Sequence, residues 1–256
     1  MEFLDKSRSA ISVTHTTSTA PAPSLTPATV EYSNVSNQVI ALLHSDEADP
    51  NRLAYVNAHD EASLRELAKT VLPSITAKRA ALERHLSDAR AGRLQVSDKV
   101  VKLWEDKMAA QDKWHAVLSE AGSLTSELTP EGKQRREEFF KLAAKAWEQD
   151  LKAVVTKLSK DMRGPFVLGR YCCAWHVQVI LTCAGDQFSV ADVHLMAWVA
   201  RVLHLCGATA EDDGRSAVAK LGNRAGLDGK LGGLEEFWEA ARGRRAWQKV
   251  YAAGLH

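Results

Sequence analysis

Residues 185–198 read GDQFSVADVHLMAW and carry a strong helix-start signal. Ser189 and Asp192 are three residues apart at the start of an apolar run, which is the spacing of a helix capping box with Asp in place of the usual Glu. The Ser189 side chain is expected to accept from the Asp192 N–H, and the Asp192 carboxylate from the Ser189 N–H. Phe188 and Val193 are placed as a hydrophobic staple. The stretch therefore predicts a well-capped helix that begins at Ser189.

Helical periodicity extends over most of the chain outside this stretch. Apolar residues recur every three or four positions, and Gly, Pro, Ser and Thr mark the ends of each run. Helices are predicted from 59 to Gly92, from Ser97 to Gly122, from Thr129 to Gly164, from Ser189 to Gly207, and in short pieces at 216–221, 234–242 and 244–252. A strand-like run occurs only at 175–181. The pattern predicts an all-α fold.

Composition narrows the function classes. The 256 residues carry 33 Lys and Arg against 32 Asp and Glu, so the basic surface of a nucleic-acid or acidic-membrane binder is not expected. No apolar run is long enough to cross a bilayer, and the N-terminus lacks the layout of a signal peptide. These features predict a cytoplasmic protein with neither nucleic acid nor membrane as a partner.

The first 58 residues differ from the rest of the chain. Residues 1–12 favour a short helical remnant, whereas 13–29 are rich in Thr, Ser, Ala and Pro and indicate an extended linker. Within 30–58 one short helix is expected before Asp49-Pro50-Asn51 breaks the chain. The interpretation divides the chain into 1–12, a linker with a short helix at 13–58, and a helical domain at 59–256.

The segment 170–184 interrupts the predicted motif. When these fifteen residues are left out, 164–169 join 185–198 and resemble the signature at the buried sixth helix of the glutathione S-transferase C-terminal domain, where a G-D-x-x-S-x-A-D turn leads into an apolar helix. The tail, 234–238 and 244–251, resembles the closing helices of that family. Residues 2–8 look like the end of the last helix of its thioredoxin-like domain, and the linker lies where fungal members join their two domains.

The resemblance implies a glutathione S-transferase C-terminal-like helical bundle, with the thioredoxin-like domain largely missing ahead of Met1. In the family that domain binds glutathione and supplies the residue that stabilises the thiolate. No catalytic residue and no cofactor-binding residue is therefore assigned to this chain. Glutathione is the co-substrate of the intact family, a small hydrophobic electrophile is the other substrate, and a homodimer is a possible assembly.

The family's C-terminal domain lines the electrophile pocket with apolar side chains. Trp104, Met108 and Trp114 lie on the second predicted helix of the domain and are the candidate pocket residues. An apolar stripe at helical spacing is also typical of a core or of a covered interdomain face. Both readings stay open from the sequence alone.

The segment 170–184 is cysteine-rich, with Cys172, Cys173 and Cys183 beside His176. These residue types can ligate zinc, but two adjacent cysteines do not form the usual Cys-x-x-Cys pair, and no metal site is predicted. We interpret the segment as an insertion, and as a possible retained in-frame intron. Histidines elsewhere are scattered and are interpreted as core or surface residues: His15, His44, His59, His85, His115, His194 and His204.

Two functions follow from these observations. The first is a glutathione transferase domain that lines the electrophile pocket when joined to its N-terminal domain and is inactive alone. The second is a non-catalytic transferase-like helical module that mediates protein association.

Overall fold

Every regular element of the described chain is helical. The computed structural model describes residues 25, 30–122, 128–162, 164–168, 188–227 and 231–255. The helices are α1 (Val30–Leu43), α2 (Pro50–Tyr55), α3 (Glu61–Arg90), α4 (Asp98–Gly122), α5 (Pro130–Ala144), α6 (Lys152–Asp161), α7 (Val190–Leu205), α8 (Gly214–Ala225), α9 (Gly232–Arg242) and α10 (Arg245–Val250). The all-α prediction is confirmed for these residues. None of their helices is long and apolar enough to span a membrane.

The two longest helices lie close to their predicted bounds. α3 runs from Glu61 to Arg90 and continues through Pro73. Its start is fixed by a capping box that the sequence reading missed, in which the Asp60 carboxylate accepts from the Ser63 N–H at 2.7 Å and the Asp60 N–H donates to the Ser63 hydroxyl at 3.0 Å. The usual capping-box pattern has Glu or Gln at the third helical position, whereas this box has Ser63, so the pattern does not identify it.

The segment 30–58 departs from the prediction of one short helix. It contains α1, a 3-10 turn at Asp46–Ala48 and α2. Helical backbone is interrupted where predicted, because Asp49 is extended, and Pro50 then begins α2, where its missing N–H costs no helical hydrogen bond and its φ suits the helix. The prediction lacked this second helix.

The predicted helix at 129–164 is divided into three parts. The Thr129 hydroxyl accepts from the Gly132 N–H at 3.1 Å, as its start signal predicts. A π-helical turn, Lys145–Leu151, follows α5 and precedes α6. Helical backbone ends at Asp161, because Met162 is extended, three residues before the predicted stop at Gly164-Pro165.

The chain divides into two compact units, of which the first comprises residues up to Pro50 and from Trp147 onward. In this unit α1 packs on α6 and α7, α8 packs on α7 and α9, and α9 contacts α6 and α10. The Trp198 indole N–H donates to the Ala48 carbonyl at 2.7 Å and fixes the 3-10 turn to α7. Fully buried side chains of this unit include Trp147, Leu151, Leu158, Leu195, Leu203, Leu221, Phe237 and Trp238.

The second unit comprises Asn51–Ala146. Its main feature is the antiparallel pair of α3 and α4, with α5 packed on α4. Arg79–Asp112 and Arg90–Glu105 ion pairs, at 2.6 and 2.9 Å, link α3 to α4. The pair is lightly packed toward its connecting loop, since Leu86, at 6% exposure, is the one buried residue of the described chain between Thr76 and His115.

Candidate functional site

The Ser189–Asp192 box is present and is built around the carboxylate. Asp192 Oδ2 accepts from the Ser189 N–H at 2.8 Å and from the Ser189 hydroxyl at 2.7 Å. Asp192 Oδ1 accepts from the Val167 N–H at 2.8 Å. The Ser189 backbone is extended, as a residue that precedes a helix requires, and the pair forms a capping box. The Asp192 carboxylate accepts from the Ser189 N–H as expected, whereas the Ser189 hydroxyl acts as a donor and the Asp192 N–H donates to the Ser189 carbonyl at 3.1 Å.

Asp192 is wholly buried, which makes its hydrogen bonds necessary. Its side chain has no exposed surface and Ser189 is 3% exposed. Burial raises the pKa of the Asp192 carboxyl, while its hydrogen bonds to Val167 and Ser189 and the positive charge of Arg244 act in the opposite direction. The Arg244 guanidinium lies 4.1 Å from the centre of the Phe188 ring. The described contacts of Asp192 hold the start of α7 in place.

The contacts of Asp192 join two parts of the chain that the segment 170–184 separates. Val167 precedes that segment and Asp192 follows it, yet the two are hydrogen-bonded. The rings of Phe166 and Phe188 also meet edge to face, with 5.7 Å between their centres. The segment itself lies outside the described residues, as do Cys172, Cys173 and Cys183. Its two flanks therefore meet as a single packed motif.

Met108 lies in an open groove between α3 and α4. The groove has a volume of about 930 Å³. Its apolar surface comes from Leu86, Met108 and Ala109, and its charged rim includes the two ion pairs that link the helices. Glu83 also lies on this rim. The groove is lined by Arg79, Glu83, Leu86, Ser87, Arg90, Ala91, Glu105, Met108, Ala109 and Asp112.

The structure does not gather the three candidate pocket residues in one place. Trp104 is half-buried and packs against His85, with 5.3 Å between ring centres. Trp114 lies between Tyr55 and Phe139, at 6.2 and 6.1 Å, and is part of the packing of its unit. Of the three, Met108 alone lines the groove.

No reactive thiol or metal cluster occurs among the described residues. Cys206 is a free cysteine, and burial raises its pKa to about 12, so its thiolate is scarce at neutral pH. No group of three or more His, Cys, Asp or Glu in the described part of the chain is arranged to hold a metal ion. The predictions for Cys172, Cys173, Cys183 and His176 fall outside this part of the chain.

A pair of histidines is brought together by the fold. His44 Nε2 and His194 Nδ1 lie 3.0 Å apart, with 5.1 Å between ring centres and 74° between ring planes. The residues are 150 positions apart in the chain. Sequence reasoning missed the pair because no local pattern links residues at that separation.

Comparison with known proteins gives no further assignment. No protein-family model, curated protein or solved structure matches the chain. The functional argument therefore rests on the geometry of the chain and on its sequence motifs.

Proposed function

We propose that this chain forms the C-terminal helical domain of a glutathione S-transferase-like protein and lines the electrophile side of a conjugation site with the groove between α3 and α4. Glutathione binding and thiol activation are assigned to a thioredoxin-like domain and to none of the described residues. This assignment goes with a cytoplasmic location.

One contact carries the proposal. The Val167 N–H donates to Asp192 Oδ1 at 2.8 Å across the segment 170–184. This contact supports the interpretation that 164–169 and 185–198 are one interrupted motif, and that motif is the part of the sequence that resembles the family. Because Asp192 is buried, both flanks must be in place to satisfy its carboxylate.

The groove supports a role in binding a small apolar molecule. Met108, Leu86 and Ala109 provide an apolar surface, and a methionine adapts its shape to different partners. A volume of about 930 Å³ is within the range of small-molecule sites. Trp114 is removed from the proposed site, because it packs between Tyr55 and Phe139.

The groove is tested by methionine methyl NMR. The chain has four methionines, so labelling their methyl carbons gives a simple spectrum. Titration with a nitroaromatic electrophile is expected to shift the Met108 signal and to leave Met196 unshifted, with a Met108→Leu variant to assign the signal. A titration that shifts none of the signals, or Met196 alone, contradicts the proposal.

Chromatography of the purified chain on immobilised glutathione tests whether glutathione binding belongs to another domain. The purified chain is expected to flow through, because the groups that hold the γ-glutamyl moiety in this family belong to the thioredoxin-like domain. Retention that free glutathione reverses would overturn this part of the proposal.

A non-catalytic module that mediates association is the second candidate. The observation that favours it is Leu103 on α4, a large apolar side chain that is 49% exposed. If the chain associates through this face, light scattering should show a homodimer that Leu103→Glu converts to a monomer. A chain that is monomeric at every concentration, or a dimer that Leu103→Glu does not disturb, argues against this candidate.

A further inference from the structure

Two ion pairs bracket the groove between α3 and α4. Arg79 pairs with Asp112 at 2.6 Å, and Arg90 pairs with Glu105 at 2.9 Å. The stretch of α3 from one arginine to the other is about 16 Å long at 1.5 Å per residue. Leu86 lies on α3 between the two arginines and lines the groove. The part of the groove between the ion pairs is therefore long enough for an aromatic molecule of one or two rings.

The charges of the groove lining do not cancel. The lining contains the guanidinium groups of Arg79 and Arg90. It also contains three carboxylates, those of Glu83, Glu105 and Asp112, so it carries one net negative charge. Glu105 and Asp112 are the carboxylates of the two ion pairs. The third carboxylate, that of Glu83, therefore sets the sign of the net charge.

Glu83 lies beside the apolar part of the groove. It precedes Leu86 by three positions on α3, and residues at this separation are neighbours on one side of a helix, about 5–6 Å apart. Glu83 is exposed and Leu86 is buried, so the carboxylate stays at the rim while the leucine contributes to the floor. A ring that packs on Leu86 and Met108 thus brings its substituent within reach of the Glu83 side chain.

We propose that the groove selects apolar molecules that carry one positive charge, so that the electrophiles it accepts are cationic aromatic compounds. This inference rests on the proposed role of the groove in binding the electrophile and adds the class of substrate. The ring packs on Leu86 and Met108, and the cationic group lies beside Glu83. At about 6 Å and an effective dielectric constant of roughly 40 to 80, one unit charge changes a dissociation constant about threefold to tenfold, in opposite directions for a cation and an anion.

The test compares three probes that share a benzyl group and differ in charge: benzyltrimethylammonium, benzyl methyl ether and phenylacetate. Each is titrated into the full chain labelled at its methionine methyl carbons, and the Met108 signal gives the dissociation constant. We expect the cation to bind about threefold to tenfold more tightly than the neutral ether, and the anion to bind more weakly by a similar factor. Glu83→Gln should bring the three dissociation constants together. Glu66→Gln is the matched control and should preserve the preference, because Glu66 is exposed on the same helix, pairs with Lys69 at 2.6 Å and lies outside the groove lining.

The outcomes separate the charge preference from the binding role of the groove. Equal affinities for the three probes, or tighter binding of the anion, overturn the charge preference, while shifts of the Met108 signal still support the groove as a binding site. A preference for the cation that Glu83→Gln leaves unchanged also overturns the inference. If no probe shifts the Met108 signal, the binding role fails and the inference fails with it. Raising KCl from about 50 mM to about 500 mM should weaken the preference for the cation by screening, and a preference that salt does not change contradicts an electrostatic cause.

Discussion

A carboxylate is costly to bury unless its oxygens are hydrogen-bonded, and at Asp192 two N–H groups and one hydroxyl meet this requirement. Replacing Asp192 with Ala leaves the buried N–H groups of Val167 and Ser189 without an acceptor. We expect Asp192→Ala to lower the free energy of unfolding by roughly 3 kcal/mol in urea denaturation. Asp60 supplies the carboxylate of an exposed capping box, from the N-cap position and not the third helical position, and Asp60→Ala should cost clearly less. Equal losses for the two variants would contradict the role given to burial.

The raised pKa of Asp192 has a defined effect on the pH dependence of stability. The folded chain holds the Asp192 proton at pH values where the unfolded chain, with a pKa near 3.8, has already lost it. The contribution of this carboxyl to stability is therefore greatest at or below pH 3.8 and falls as the pH rises through the folded pKa. Urea denaturation from pH 3 to pH 8 should show wild type losing stability relative to Asp192→Asn over that window. A relative gain would mean that the folded pKa is lowered.

At the scale of single residues, the sequence predicted that Asp192 accepts from the Ser189 N–H because a capping box is local, but it assigned the Ser189 hydroxyl as an acceptor where it is a donor. It did not predict that Asp192 also accepts from Val167, which lies 25 positions away. The packing of Trp114 could not be predicted from the sequence either. The sequence places Trp114 on α4, but only the fold shows that Tyr55 and Phe139 pack against it.

Among the helices, the junction of α8 and α9 depends on a glycine. A Cβ placed on Gly214 would lie 2.5 Å from the Glu235 carbonyl oxygen, a backbone atom that cannot move alone. We expect Gly214→Ala to destabilise the chain by about 1–3 kcal/mol, measured by urea denaturation. Gly233→Ala is the control within α9, because its Cβ would make ordinary contact with Met162 at 3.7 Å. A neutral Gly214→Ala would show that the two helices are not this close.

The tryptophans of α4 differ in what they contribute to packing. Trp114 stacks on Tyr55 and meets Phe139 edge to face, whereas the ring contact of Trp104 is with the exposed His85. We expect Trp114→Ala to lower the free energy of unfolding by about 3 kcal/mol and Trp104→Ala by about 1 kcal/mol. Chemical denaturation followed by far-UV circular dichroism measures both. The opposite order would return Trp114 to the candidate groove.

The bounds of the helices show where sequence patterns stop being informative. The stretches 59–92 and 97–122 are long and strongly periodic, and their helices lie close to the predicted ends. The π-helical turn at Lys145–Leu151 has no such signal, because the apolar spacing continues through it. A proline is compatible both with the end of one helix and with the first residue of the next, and at Pro50 the structure shows both, since Asp49 is extended and α2 begins at Pro50.

At the scale of the whole molecule, the proposed function depends on the segment 170–184 being an insertion into one motif. The contacts of Phe166 with Phe188 and of Val167 with Asp192 close the motif without any residue of that segment. A transcript that always carries the segment would exclude a retained intron, but it would leave the structural claim intact. The claim about the fold concerns packing and is tested on the protein.

The most direct measurement is the thermal unfolding midpoint of a chain from which residues 170–184 are deleted. Residue 169 and residues 185–187 then connect Leu168 to Phe188. Removing a long connection lowers the entropic cost of closing the loop. We predict one cooperative transition with a midpoint equal to or above that of the full chain, and the same sensitivity to Asp192→Ala. Loss of cooperative unfolding, or a deletion chain that Asp192→Ala no longer destabilises, would contradict the account.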